Sequence, residues 1–234
     1  MFEPVQSSGS TVDAIVQQIQ HLLEKKALRP GDLLPNEAEL AEQMHVSRSS
    51  VREAVKVLSA LGVVEIRRGN GTYISREIGK SVLDPLMLQL LMSDGDTEQL
   101  MDFREMMERM VIAACVRSAR DEECMRLAEI AAQMQDQAGT AGAAAERLAE
   151  LDLAFHHALA ATAHNIYMEK LYCFILDFFR PYIVETYKKR GNIDTACAVH
   201  TQIADAVQRR EESAAAAAAR RSAQEWCRAY GSAE

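Results

Sequence analysis

The stretch LDLAFHHALAATAHN, residues 151–165, holds three of the chain's six histidines among alanines, leucines and a phenylalanine. Asp152 and His156 are four positions apart, so on a helix both project from one face, about 5–6 Å apart at Cβ. Leu148, Leu159 and Ala163 share that face, which turns the pair inward. A carboxylate and an imidazole buried among alanines are costly unless they pair, hydrogen-bond or hold a metal. The residues alone leave two readings open: an Asp–His hydrogen bond inside a core, or part of a divalent metal site. A hard oxygen with borderline nitrogens suits zinc, nickel, manganese or iron. His157 is turned about 100° away on the helix and His164 lies two turns on, so both read as surface or supporting residues.

A second stretch, SRSSVREAV at 47–55, carries a different chemistry. Ser47 can cap a helix whose Arg48 and Arg52 lie four apart, opposite a Val51/Val55 stripe. Long donors near the start of a helix can reach base edges in a major groove, and Ser49 and Ser50 offer short hydroxyls to phosphate or base. The same arginines could equally be solvated residues paired with Glu53 or Glu39. Downstream, Asn70 stands between Gly69 and Gly71, where a backbone without Cβ atoms can approach DNA closely.

These residues need elements to position them. TVDAIVQQIQHLLEKK (11–26) has apolar residues at helical spacing, with Thr11 as the expected cap, and RPGD (29–32) is a turn. Asn36 with Glu39 marks a second helix start, and a third helix begins near Ser47. VVEIRRGNGTYIS then reads as two short strands around a basic turn, a hairpin. SREIGKSVLD (75–84) lacks periodicity and reads as a link. Beyond it, helices are expected at roughly 84–93, 97–119, 121–138, 143–163, 165–189, 193–209 and 212–230, separated by SDGD, AGTAG and RGNID. On the last helix Ala215, Ala218, Ala219, Ser222 and Trp226 form one stripe. The fold class is therefore mainly α: an N-terminal winged helix-turn-helix with a small β-hairpin wing, and a C-terminal all-α helical bundle. The expected domain bounds are 1–76 for the winged helix-turn-helix, 77–83 for a linker, and 84–232 for the helical bundle.

Charge and composition agree with this division. The net charge of −8 argues against nucleic acid only on average, because residues 1–80 are neutral and 45–76 carry six basic against two acidic residues. A local positive field is what binds phosphates. No apolar run approaches the roughly 18 residues that span a bilayer, and the N-terminus shows no signal pattern, so no membrane partner and a cytoplasmic location are expected. The five cysteines (115, 124, 173, 197 and 227) have no CxxC pair and read as reduced.

LLPNEAELAEQMHVSRSSVREAVKVLSALGVVEIRRGNGTYIS closely resembles the DNA-binding domain of the GntR family of bacterial transcriptional regulators, over about residues 8–76. The resemblance implies that Arg48 and Arg52 read or clamp an operator, assisted by Ser47 and Ser50, with the Asn70–Gly71 tip entering the minor groove. Many relatives carry arginine where this chain has Ala38, which implies one missing DNA contact and a looser or shifted base preference. DFREMMERMVIAA (102–114), DLAFHHALAATAHN (152–165) and AVHTQIADAV (198–207) resemble the ligand-sensing FCD domain of the FadR subfamily.

That second resemblance implies a divalent metal ion, zinc being one candidate, on Asp152, His156 and His200, with Ser222 where a fourth histidine is expected. It further implies a ligand-binding role for Arg104, whose alternative is a solvated pair with Glu108, for Ser222, and for Asn165, which matches a helix-breaking asparagine and whose alternative is a structural role; Tyr182 and Arg180 are weaker candidates. The expected function is a ligand-responsive repressor. It would act as a homodimer on an inverted-repeat double-stranded operator and be modulated by a small organic acid: a carboxylate, hydroxy-acid or sugar acid. A metal-free regulator of a larger ligand and a metal-dependent enzyme are the alternatives. An enzyme is disfavoured because no further acid or base accompanies the motif and the site is joined to a DNA-binding domain.

Overall fold

The computed structural model describes residues 2–4, 10–76, 85–140, 144–188 and 190–231, with the side chains of 97, 190–192 and 225–231 excepted. The chain divides into two compact units, Met1–Ser93 and Asp94–Glu234. The expected linker at 77–83 lies outside the described residues, as does the side chain of Trp226.

In the first unit, α1 (Thr11–Glu24), α2 (Glu37–Met44) and α3 (Arg48–Ala60) precede a hairpin of β1 (Val64–Arg67) and β2 (Gly71–Ile74). The cap of α1 is Ser10 rather than Thr11: Ser10 Oγ accepts from Asp13 N–H at 3.4 Å, leaving Thr11 as the first helical residue. Asn36 and Glu39 close a reciprocal capping box at α2, satisfying N–H groups that the first turn leaves without partners. The turn into α3 passes through His45 in the left-handed region, at φ 56°. Ile15, Ile19, Leu40, Met44, Val51 and Leu58 are fully buried between the helices, so periodic apolar positions lock the three together. The strands pair antiparallel from Val64↔Ile74 to Arg67↔Gly71. Gly71 has φ +110°, and a Cβ there would sit 2.7 Å from Leu33 Cδ1, so Leu33 and the wing fit only around glycine. α4 (Pro85–Leu91) leaves Leu86, Leu88 and Leu91 exposed.

The described elements of the second unit are all helices: α5 (Thr97–Ser118), α6 (Asp121–Ala138), α7 (Ala145–Thr162), α8 (Ile166–Lys188), α9 (Arg190–Arg209) and α10 (Glu212–Gly231). Asp96, at the end of SDGD, caps α5 in a second capping box with Gln99. The segment RGNID (190–194), expected to separate helices, instead opens α9. A first turn tolerates Gly191 and Asn192 because its N–H groups have no intrahelical acceptors to lose. α7 packs on α8 and α6, α9 on α6 and α10, and α10 on α5. Buried Ala215, Ala218, Ala219 and Ala223 let α10 approach its neighbours closely. Phe155, Leu159, Phe179, Ile183, Ile203 and Val207 fill the centre. Among the described residues, no helix is long and apolar enough to cross a membrane.

Candidate metal centre and nucleic-acid interface

α7 and α9 bring together the three polar residues that the sequence places inward. Asp152, His156 and His200 are 4%, 0% and 3% exposed. His156 Nε2 lies 3.7 Å from Asp152 Oδ1, and His200 Nε2 lies 3.4 Å from Asp152 Oδ2. One ligand atom from each falls within 4.8 Å of the others. The outward-facing atoms are engaged. Tyr172 Oη meets His156 Nδ1 at 2.9 Å, Tyr187 Oη donates to Asp152 Oδ2 at 2.7 Å, and His200 Nδ1 donates to the Ala196 carbonyl at 2.7 Å. A carbonyl can only accept, so the proton of neutral His200 sits on Nδ1 and its Nε2 presents a lone pair.

Asp152 Oδ1, His156 Nε2 and His200 Nε2 are all buried without a hydrogen-bond partner. Three buried polar atoms left unsatisfied on side chains this close together are costly unless a cation satisfies them. Ligands of a tetrahedral ion at about 2.0–2.2 Å would stand about 3.3–3.6 Å apart, close to the 3.7 and 3.4 Å that separate the Asp152 carboxylate from His156 and His200. Supporting hydrogen bonds on the far side of each ligand are what a metal site requires to fix tautomer and orientation. The arrangement can therefore hold a divalent metal.

The electrostatics agree. Burial pushes the His156 imidazole down to about 3, so it stays neutral and keeps a lone pair available. Burial would raise the Asp152 carboxyl, but the buried Arg104 charge and the Tyr187 hydroxyl help to hold it below the usual carboxylate range. Burial raises Tyr172 and Tyr187 well above a normal phenol, so both remain protonated donors.

A second buried group stands on α5. Arg104 (7% exposed) and Glu108 (1% exposed) approach at 3.9 Å, which rules out the solvated-face reading of this i,i+4 pair. Arg104 also lies over the Phe179 ring at 5.3 Å. Ser222 of α10 donates to Glu108 Oε2 at 3.4 Å, so the residue at the expected fourth-ligand position serves Glu108. Burial pushes Glu108 up to about 7, opposed by Arg104 and Ser222. A carboxyl whose folded pKa is raised contributes stability that is complete below about 4.5 and lost as pH rises through about 7. Relative to Glu108→Gln, chelator-treated protein should lose roughly 2–3 kcal/mol between pH 5 and pH 8, read by urea unfolding; parallel profiles would exclude a buried neutral carboxyl.

Other expected residues fall elsewhere. Asn165 is exposed, and its Oδ1 accepts from the N–H groups of Tyr167 and Met168 at 3.1 and 3.2 Å. It caps α8 and stands outside the buried cluster, because an asparagine at a helix start is held by its own backbone. His157 contacts Cys173 Sγ at 3.1 Å and His164 contacts Glu123 at 3.0 Å, both away from the centre. Arg180 pairs with Asp177 in solvent, and Tyr182 is half-buried against Phe178 and Phe179. Tyr172 and Tyr187 were missed by sequence reasoning. Their signal was weak: two tyrosines fifteen apart on an apolar helix, about four turns and hence one face.

In the first unit, Ser47 caps α3, accepting from Ser50 N–H at 3.1 Å, with its hydroxyl 2.8 Å from those of Ser49 and Ser50. Arg48 and Arg52 are exposed opposite buried Val51 and Val55. Arg52 pairs with Glu37 of α2 rather than Glu53 or Glu39, which are taken by Lys56 and by the capping box. At the exposed wing tip, Tyr73 donates to the Asn70 carbonyl at 3.2 Å, and Arg67 stacks on Tyr73 at 4.5 Å. Asn70 and Gly71 thus lie exposed at the tip of the hairpin.

Residues 11–74 match the bacterial regulatory proteins of the gntR family, and 99–225 match the FCD domain. The chain is 30% identical to the HTH-type transcriptional regulator LutR of Bacillus subtilis, over 80% of this chain and 85% of that protein. It is 26% identical to the galactonate operon transcriptional repressor of Escherichia coli, over 78% and 80% respectively. The solved structure of a Streptococcus agalactiae GntR superposes with a TM-score of 0.69 at 27% identity, covering 93% of this chain and 99% of that one. These relatives are regulators and not enzymes, and with both domain matches in place the chain belongs to the GntR family, as a transcriptional regulator of the FCD type.

Proposed function

We propose that the chain is a cytoplasmic repressor that binds an inverted-repeat operator as a homodimer and is released when a small organic acid enters the Asp152/His156/His200 centre. The carrying observation is that three buried residues each bring a ligand atom within 4.8 Å of the others, and that each carries a buried atom without a hydrogen-bond partner. Those three residues would hold a divalent ion, zinc being one candidate, which when bound supplies a Lewis acid for chelating oxygens. Ser222 contributes no imidazole, so room remains for an acid. Arg104, buried on α5, would orient its carboxylate through charge-assisted hydrogen bonds. Closing helices around the acid would change the pose of the two reading heads, which needs only a difference in acid affinity between two conformations. That one relative is named for a galactonate operon supports both repression and a hydroxylated acid.

The test is a panel of small carboxylates, hydroxy-acids and sugar acids against the metal-loaded full chain. At least one should raise the melting temperature and weaken a selected duplex complex by tenfold or more. Both effects should vanish on chelation, while Arg104→Ala should lose the acid response and keep the metal. If no acid shifts the protein, or the shift survives chelation, the reading is wrong.

A further inference from the structure

The ion pair between α2 and α3 points to a residue that decides how well the DNA-binding unit discriminates between sequences. We propose that Glu37 is a specificity-determining positioning residue: it holds Arg52 as a base reader and keeps it from acting as a general phosphate clamp. This rests on the assignment of Arg52 to DNA.

Arg52 Nε donates to Glu37 Oε2 at 3.0 Å and to Oε1 at 3.3 Å, and Nη2 donates to Oε2 at 2.7 Å. Glu37 therefore occupies the side edge of the guanidinium, the Nε/Nη2 edge. The end-on pair of Nη1 and Nη2 hydrogens stays available. Two parallel donors on one edge match the O6 and N7 acceptors of guanine in the major groove. A planar fork fixed on one side loses less freedom when its other side docks, so the contact is preorganised.

The charge matters as much as the geometry. Non-specific affinity comes from cations neutralising phosphates, whatever the bases. A carboxylate 2.7 Å from Arg52 cancels most of its field toward a phosphate, so the pair gains little from an arbitrary duplex. Arg48, four positions away on the same exposed side, makes no ion pair among the described residues and keeps its full charge. The two arginines thus divide the work: Arg48 clamps and Arg52 reads. A purely structural brace is a weaker account, since the side chains are 60% and 39% exposed and exposed ion pairs contribute little to stability.

The experiment uses the full chain. A library of duplexes with a randomised centre is selected with the unaltered protein, and affinities are then measured for one selected and one scrambled duplex. Glu37→Gln keeps the shape and removes the charge. It should bind the scrambled duplex about 3–10-fold tighter and lose about tenfold in the selected-to-scrambled ratio. Reselection with it should flatten the base preference at the position that Arg52→Ala also flattens. Glu37→Asp, which keeps the charge on a shorter arm, should leave the scrambled affinity unchanged. If Glu37→Gln shifts both duplexes equally, or neither, with the same bases selected, Glu37 is only a brace and the inference is overturned. If Arg52→Ala itself binds the selected duplex normally, the DNA assignment fails instead, a separate result.

Discussion

Stripping divalent metal from the protein should lower its melting temperature by roughly 10 °C, and Asp152→Ala or His156→Ala should abolish that difference. An ion present at about a thousand times its dissociation constant stabilises the folded state by about 4 kcal/mol, and each kcal/mol is worth about 2–4 °C in a chain of this size. The folded chain without an ion retains three buried polar atoms without partners, Asp152 Oδ1, His156 Nε2 and His200 Nε2, in one side-chain cluster. An ion relieves all three at once, whereas unfolding relieves them with water, so the ion's advantage appears directly in the unfolding equilibrium. The check is scanning calorimetry before and after chelation, with metal content measured on the same samples. Full metal occupancy retained by His156→Ala would remove His156 from the centre.

The double variant Arg48→Ala/Arg52→Ala should lose selected-duplex affinity by roughly 100-fold or more. Each arginine contact is worth about 1–3 kcal/mol, and each chain of the proposed dimer would lose two. Both residues are exposed and make no core contact, so the fold and the metal centre should be intact. The dependence of log affinity on log salt should also flatten, most of it traceable to the Arg48 single variant. A double variant that binds within threefold of the original would mean that α3 does not lie against DNA.

Much of this was legible because local signals and global packing agree. The capping box at Asn36, apolar periodicity and the glycine-flanked wing turn each act over a few residues, so they survive in a one-dimensional reading. Where a local signal was ambiguous, tertiary context decided. RGNID looks like a break but opens α9, and Ser10 rather than Thr11 holds the first turn of α1. The Asp152–His156 pair was visible through its i,i+4 spacing. His200 had no such mark, since it comes from another helix and was placed by family resemblance. Arg104 and Glu108 have the spacing of a surface pair and the burial of a core one; only packing against Phe179 and Ser222 tells them apart. Tyr172 and Tyr187 were hidden for the same reason, because hydroxyls on an apolar helix acquire meaning from what they face.

The two ligand-bearing helices have one further consequence. Asp152 and His156 come from α7, while His200 arrives only after α8 has run its length and the chain has doubled back. During synthesis, therefore, α7 alone would offer the proposed ion no more than a loose perch, and a firm grip would form only when the returning chain is home. Ion capture would then act as a receipt for completed folding of the second unit, and a newly made chain whose bundle is unfinished would not be mistaken for one ready to respond.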